Sequence, residues 1–359
     1  MNEIYEIGSE FQSNATKMLA MSHQCRLENN TDHMHYLLSG RTALQHVVDD
    51  IRAHHRLKCV ALPAYCCGSM IAPFYDAKEI EITFYSSQSV QDKAIQKADV
   101  VLIMDYFGYY SASTVEFVMA CKDQSKTTIF DATQMAFSAT EAKEWSDYVI
   151  VSYRKWADIL VATAYCKAGF LINACTKHHS QYNSLWRMAA DIKAEYLKSG
   201  SGAKKAYLSL YASANALLDR DYKGYSAEAD ELKKFDAIDI PLLIAKRREN
   251  AEYLTTAVMR YSEKWRKFSK SVELMFPMLS YRDCPLFVPI LVDAVKRDEI
   301  RKQLIEADIY CPAHWPIDVR YPYHETDSHK REISLVCDQR YGIDDMEREI
   351  KALSKAVLD

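Results

Sequence analysis

Three short stretches of the chain combine residue types that do chemistry with spacings that let them do it. The first is Ser39-Gly40-Arg41-Thr42-Ala43-Leu44. A small residue followed by a hydroxyl residue at the mouth of an apolar helix offers backbone N–H groups and the positive end of the helix dipole to an anion. The same residues also read as a plain helix cap. The second is Asp131-Ala132-Thr133-Gln134, directly after the apolar run Thr127–Phe130. A carboxylate at the end of a buried strand requires a positive side chain, a ligand donor such as a protonated pyridine nitrogen, or the backbone of the next turn. The third is Ser152-Tyr153-Arg154-Lys155-Trp156, after Tyr148–Val151. A lysine held at a strand end beside an arginine has its ammonium form disfavoured, and the neutral amine is the form that makes Schiff bases. A solvated surface lysine is the ordinary alternative.

These stretches need strands to present them. Apolar runs at Leu57–Pro63, Ile80–Tyr85, Val100–Tyr106, Thr127–Asp131 and Tyr148–Ser152 read as strands, and Ala164–Asn173 as a further pairing strand. Thr42–His54, Gly68–Asp76 and Ser113–Lys122 read as helices between them. Near-continuous apolar strands alternating with helices predict an α/β fold with a mostly parallel central sheet covered on both faces. Asp131 precedes Lys155 by 24 residues, one strand-helix-strand step of such a sheet. From His179 the pattern changes to long helices, Tyr182–Leu197 and Ala206–Arg220, around a flexible turn at Lys198–Lys205. Leu242–Met259 bridges to the last part. There Phe287–Val292 and Ile333–Val336 read as strands, Arg297–Ala307 and Asp344–Leu358 as helices, with Asp344 as N-cap. The expected organisation is an N-terminal segment 1–32, a large domain 33–245 and a small α/β C-terminal domain 246–359.

Composition sets the outer limits. The 359 residues carry a net charge of -4, so no surface for nucleic acid or an anionic membrane is expected. Only nine glycines occur, and Gly200 and Gly202 are the sole close pair, which excludes a GxGxxG fingerprint and a Walker loop. Any phosphate site must use another device. Ten cysteines show no CxxC pair and no zinc spacing, so no metal is expected; with no signal-like or membrane-length apolar run, the expectation is a soluble cytoplasmic protein.

Taken in order, the three stretches resemble fold-type-I pyridoxal-phosphate enzymes, and within them the DegT/DnrJ/EryC1/StrS sugar aminotransferase family. SGRTAL resembles that family's SGTSAL, FDATQ its EDAAQ, and SYRKW its lysine motif. VLIMDYFG resembles its strand ending in an aromatic and glycine, RRENAEYL (Arg247 to Leu254) the helix into its small domain, and HWP (His314 to Pro316) and SLVCDQRYGIDDM (Ser334 to Met346) its closing segments. The resemblance extends from Leu37 to Leu358. It departs after Lys155, where ADILVATAYC replaces the family's Gly-Gly pair, and in lacking the family's Asn-x-Arg motif before Arg247.

The resemblance implies pyridoxal 5'-phosphate as cofactor and gives roles by position. Lys155 would carry the cofactor as a Schiff base and move protons, and Asp131 would pair with the pyridine nitrogen. Gln134 would lie beside the ring. Gly40, Arg41, Thr42 and Ser152 would hold the phosphate, and Tyr65 would stack on the ring, with Cys67 as the alternative at that place. It further implies a homodimer that moves an amino group, from glutamate, to a keto sugar linked to a nucleotide, in polysaccharide or related sugar biosynthesis. The apolar faces of the Tyr182–Leu197 and Ala206–Arg220 helices are the expected dimer surface. His314 and Trp315 are candidates for the acceptor, as are Lys204 and Lys205 for its phosphates. Other chemistry on the same cofactor, such as dehydration or a non-sugar acceptor, and a non-catalytic binding role stay open as alternatives.

Overall fold

The computed structural model describes residues 5–13, 15, 30–54, 57–200, 204–267 and 271–358. Strand β1 (Ile7–Gly8) is followed by β2 (Met34–Leu37). Helix and strand then alternate: α1 (Gly40–Ala53), β3 (Cys59–Pro63), α2 (Gly68–Tyr75), β4 (Glu81–Tyr85), α3 (Lys93–Lys97), β5 (Val100–Met104), α4 (Ala112–Asp123), β6 (Thr127–Asp131), α5 (Ala142–Trp145) and β7 (Tyr148–Ser152). A 3₁₀ turn over Tyr153–Lys155 leads to β8 (Ala162–Cys166).

Seven of these strands form one sheet in the order β2-β8-β7-β6-β5-β3-β4. From β7 to β4 the strands run parallel, while β8 is antiparallel to both its neighbours. Every residue of β3, β5 and β7 is buried, because helices cover both faces. Along β5, Val100, Leu102 and Met104 join the core with α1 and α2, while Val101 and Ile103 join the core with α4. That is the two-residue alternation of a strand serving two layers. Parallel strands end at one edge, so Met104, Asp131 and Ser152 finish side by side.

The strand expected over Ala164–Asn173 is instead β8, ending at Cys166. Gly169 takes a left-handed φ of +87° and turns the chain, after which Phe170 N–H donates to Asp32 O at 2.7 Å. Helices α6 (Ser180–Ser199) and α7 (Lys204–Arg220) pack against each other through Tyr182, Trp186 and Ala190 on one side and Tyr207, Tyr211 and Ala214 on the other. Much of the apolar surface of these two helices is therefore buried within the chain, while Met188 and Leu208 stay exposed. Residues 201–203 of the expected Lys198–Lys205 turn lie outside the described residues, as do Cys25 and most of the segment 1–32.

After α8 (Ala229–Asp236) the long helix α9 (Ile240–Lys267) carries the chain to a second layer. It comprises β9 (Glu273–Leu274), β10 (Val288–Leu291), α10 (Arg297–Glu306), β11 (Ile309–Tyr310), α11 (Asp327–Arg331), β12 (Glu332–Leu335) and α12 (Ile343–Leu358). Strands β12-β10-β9 form an antiparallel sheet over a core that includes Leu254, Trp265, Ile290, Ile333 and Leu353. The amino-terminal strand belongs to this layer: β1 pairs parallel with β11, and Ile7 is fully buried in the same core. Asp344 lies in the first turn of α12 and not at its cap; the neighbouring Asp345 carboxylate accepts from Gly342 N–H at 2.9 Å. Among the described residues all nine cysteines are free, and no helix is long and apolar enough to cross a membrane.

Candidate active site

A cavity of about 530 Å³ opens where the carboxyl ends of β5, β6 and β7 meet the start of α1, the amino-terminal strand and the second layer. It is lined by Gly40, Arg41, Asp131 and Gln134. Ser152, Lys155, His314 and Trp315 line it too, so one cavity collects residues from four separate parts of the chain.

Ser39 caps α1 with extended backbone, and its hydroxyl accepts from Thr42 N–H at 3.2 Å. The first amides of the helix, on Gly40 and Arg41, have no acceptor within the helix and face a site of positive potential. Gly40 is required there because a Cβ on it would stand 2.9 Å from the Cβ of Ser152. Thr42 corrects the sequence expectation. It is buried behind the wall with its hydroxyl 2.8 Å from that of Ser39, so it completes the cap and does not line the cavity. The Arg41 guanidinium points away to Asp219, at 2.7 Å, leaving the backbone of that residue as its contribution to an anion seat.

Asp131 is buried, and one carboxylate oxygen accepts from Thr133 N–H at 2.8 Å. The Thr133 side chain also hydrogen-bonds this carboxylate, and no cationic side chain is paired with it among the described residues. Burial pushes this carboxyl above the ordinary range while the Thr133 contacts pull it back. A cationic N–H donor would supply the charge that the protein leaves out. Lys155 is open to the cavity although it lies deep in the fold. The crowding of protein around it, and then the Arg154 charge, holds its ammonium below the usual lysine range.

The Gln134 side-chain oxygen accepts from Phe107 N–H at 2.8 Å, which fixes its amide at the cavity. Phe107 and Gly108 both have left-handed φ, +59° and +89°. Only glycine fits the second position, since a Cβ would stand 1.9 Å from Cys284 O. The turn also joins the layers, through Leu286 N–H to Phe107 O at 2.7 Å.

Tyr65 does not line the cavity, contrary to its expected role as the stacking aromatic. Its phenol donates to His314 O at 2.6 Å and its ring centroid lies 4.8 Å from that of Trp315, so it braces the opposite wall from behind. Cys67 lines the cavity in its place, with its sulfur 2.8 Å from Ser69 Oγ. His314 is set by a fully buried carboxylate: its N–H donates to Glu332 at 2.5 Å, its Nδ1 lies 3.0 Å from Ser334 Oγ, and Ser334 in turn donates to Glu332. Lys204 and Lys205 are not on the cavity. The Lys204 ammonium is taken up by Glu6 and Tyr310, which together fasten the amino-terminal strand.

Several wall residues were not singled out from the sequence. Thr133 accepts from Ser152 N–H at 3.2 Å and so links two of the motifs; its hydroxyl in the motif was the available signal. Ser9, Glu10 and Phe11 form another part of the wall and carried no local signal. Their place is set by distant partners: Lys193 Nζ donates to Glu10 O at 2.6 Å, Tyr211 to Phe11 O at 3.0 Å, and Gly8 N–H donates to Tyr341 at 2.9 Å. Burial, with Arg340 nearby, lowers the Lys193 ammonium to about 7.

No family model matches the sequence, and no curated protein matches it. Solved structures do. The chain is similar to the aminotransferase TlmJ from Streptoalloteichus hindustanus, with 11% identity over 90% of this chain and 86% of that one and a TM-score of 0.61. It is similar to NtdA from Bacillus subtilis, solved with bound cofactor PMP, with 13% identity over 91% and 73% and a TM-score of 0.61. It is also similar to DesI, solved in the presence of its TDP-sugar product, with 13% identity over 91% and 81% and a TM-score of 0.60. This likeness establishes the fold: a fold-type-I architecture with a mostly parallel central sheet. Activity has to be argued from the side chains of the site.

Proposed function

We propose that this protein is a pyridoxal-phosphate-dependent aminotransferase that transfers an amino group, from glutamate, to a keto sugar carried on a nucleotide. The observation that carries the reading is the convergence on one cavity of Lys155, a buried Asp131 with no cationic partner among the described residues, and the close Gly40–Ser152 approach beneath a helix start. Those residues fit the cofactor's aldehyde, ring nitrogen and phosphate respectively. When bound, the cofactor supplies an electron sink for the pair left behind by proton removal at carbon.

The chain's own residues do the rest. The amides of Gly40 and Arg41, with the Ser152 hydroxyl, bind the phosphate at the helix start. Asp131 would pair with the ring nitrogen and favour its protonated form, and Gln134, fixed by Phe107, would lie beside the ring. Lys155 Nζ, with its ammonium form disfavoured, would hold the cofactor's aldehyde carbon and would be the base for the proton at the substrate carbon. His314 and Trp315 line the wall built by the second layer, where they would meet the acceptor. The sugar and nucleotide, membership of the DegT/DnrJ/EryC1/StrS family, a role in polysaccharide or related sugar biosynthesis and a homodimer take their support from the sequence resemblance.

The deciding experiment loads the purified protein with pyridoxamine phosphate and adds nucleotide-linked keto sugars or simple α-keto acids. Return of the visible band of lysine-bound pyridoxal with a nucleotide sugar is the expected result. Return with keto acids alone makes the protein a general aminotransferase, and no return with either overturns the aminotransferase reading. Sedimentation at micromolar concentration tests the dimer.

A further inference from the structure

Among the described residues six lysine and arginine side chains border the cavity, and two of them are ion-paired. Arg41 is paired with Asp219 and Arg340 with Asp338, each at 2.7 Å. Arg247 and Arg301 likewise have only neutral partners, with Nε bound to Gln339 at 2.7 Å and to Cys311 O at 3.0 Å, but they reach in from α9 and α10 and not from the sheet edge that carries Ser152. Lys155 is the amine of the proposed chemistry. Arg154 remains. It sits on the 3₁₀ turn between Ser152 and Lys155.

The surroundings of Arg154 hold its position without an ion pair, although the Glu10 and Asp219 carboxylates lie near enough to favour its charged form. Nη1 donates to Tyr182 Oη at 3.1 Å and to Asn215 Oδ1 at 3.3 Å, and the guanidinium lies over the Trp186 ring at 4.5 Å. All three partners are uncharged. Among the described residues Nε and Nη2 have no acceptor, and no carboxylate forms an ion pair with this side chain. A guanidinium clamped by neutral groups on a cavity wall is a ready partner for an anion.

Its position relative to the start of α1 identifies which anion. Asn215, which holds Arg154, and Asp219, which holds Arg41, are four residues apart on α7 and so lie on one face, one turn from each other. Arg41 belongs to the first turn of α1, and Gly40 beside it closes on Ser152. Arg154 therefore borders the same seat as the Gly40 and Arg41 amides and the Ser152 hydroxyl.

We infer that Arg154 is the charged anchor of that seat, donating from Nε and Nη2 to the phosphate of the cofactor, so that one chain alone supplies both the amide cradle and the counter-charge. The inference rests on the cofactor reading above. The step is binding only, and no bond in the phosphate is made or broken.

The test compares pyridoxal phosphate with pyridoxal, which has the same aldehyde and ring without the phosphate, by titrating the visible band of the lysine-bound form in the unaltered protein, Arg154→Gln and Arg154→Lys. Loss of a charge-assisted hydrogen bond should weaken pyridoxal phosphate by roughly 10- to 100-fold in Arg154→Gln. Pyridoxal should bind both proteins alike, which also reports that the variant is folded. Arg154→Lys should recover part of the loss, and inorganic phosphate should compete with pyridoxal phosphate less well in Arg154→Gln. Equal weakening of the two aldehydes makes Arg154 a structural brace and overturns the inference. So does unchanged pyridoxal phosphate affinity with a loss confined to an anionic substrate. If the unaltered protein shows no band with either aldehyde, the cofactor reading itself has failed.

Discussion

Gly40 and Ser152, 112 positions apart, approach so closely that a Cβ on the glycine would lie 2.9 Å from the Cβ of the serine. The contact joins the start of α1 to the end of β7, and it leaves the helix amides open to the cavity. Gly40→Ala forces the two apart. Overpacking of this kind costs about 1–3 kcal/mol, and the cost should fall on the anion seat. The expected result is weaker pyridoxal phosphate binding, by roughly 5- to 100-fold, in a protein that still unfolds cooperatively in urea. A variant that binds as tightly as the parent would show that the helix start holds no phosphate.

Lys155→Ala should abolish the visible band and the covalent attachment of cofactor after borohydride reduction. Weak binding through the anion seat should survive, measurable by equilibrium dialysis. Attachment to another lysine, located by mass spectrometry, would sink the assignment.

Asp131→Asn keeps the shape of the side chain and removes its charge. With the ring nitrogen no longer held protonated, turnover should fall on the order of 100-fold or more, with cofactor affinity changed only modestly. Parent-like turnover would reduce Asp131 to the cap of the Thr133 turn.

Gly108→Ala tests the hinge between the layers. The residue has a left-handed φ of +89°, and the new methyl would meet the carbonyl of Cys284, which no side-chain rotation can relieve. Strain at such a position costs about 1–3 kcal/mol before the overlap is counted. Denaturant unfolding should show a loss of at least this size. The Phe107–Gln134 hydrogen bond should be disturbed with it, seen as a changed spectrum of the bound cofactor. An unchanged unfolding midpoint would rule the constraint out.

Glu349 gives the stability a pH dependence. One oxygen accepts from Val336 N–H at 2.8 Å and from the Cys311 thiol, while the other is buried without a partner. Burial pushes the carboxyl from 4.5 up to about 8, with the Val336 and Cys311 contacts opposing. Between those values the folded chain holds a proton that the unfolded chain has released, so this group's contribution to stability is full below the lower value and is lost as pH rises through the upper one. Glu349→Gln should flatten the thermal midpoint across that window and exceed the parent above pH 8. Identical pH profiles for the two proteins would show that Glu349 is not the titrating group.

The central sheet was legible because its strands announce themselves locally. Val100–Met104 and Tyr148–Ser152 are apolar at nearly every position, and a strand covered on both faces has no other composition available to it. The ends of those strands then placed Asp131 and Lys155 on one edge. The extent of β8 was less legible, because the turn at Gly169 depends on a pairing with Asp32 that local composition does not encode.

By itself, the sequence determined the α/β class, the residues at the strand ends and the capped start of α1, all of which follow from periodicity and nearest neighbours. Tertiary structure alone decided which of those residues share a cavity. It turned Thr42 and Tyr65 into supports, spent Lys204 on Glu6, and folded α6 and α7 against each other. It also brought Ser9 and Glu10 to the wall through Lys193, Tyr211 and Tyr341, residues about 180 to 330 positions away. The physical reason is one of range. Hydrophobic periodicity and capping act over a few residues, whereas the partners that consume or free a polar group are chosen by three-dimensional packing.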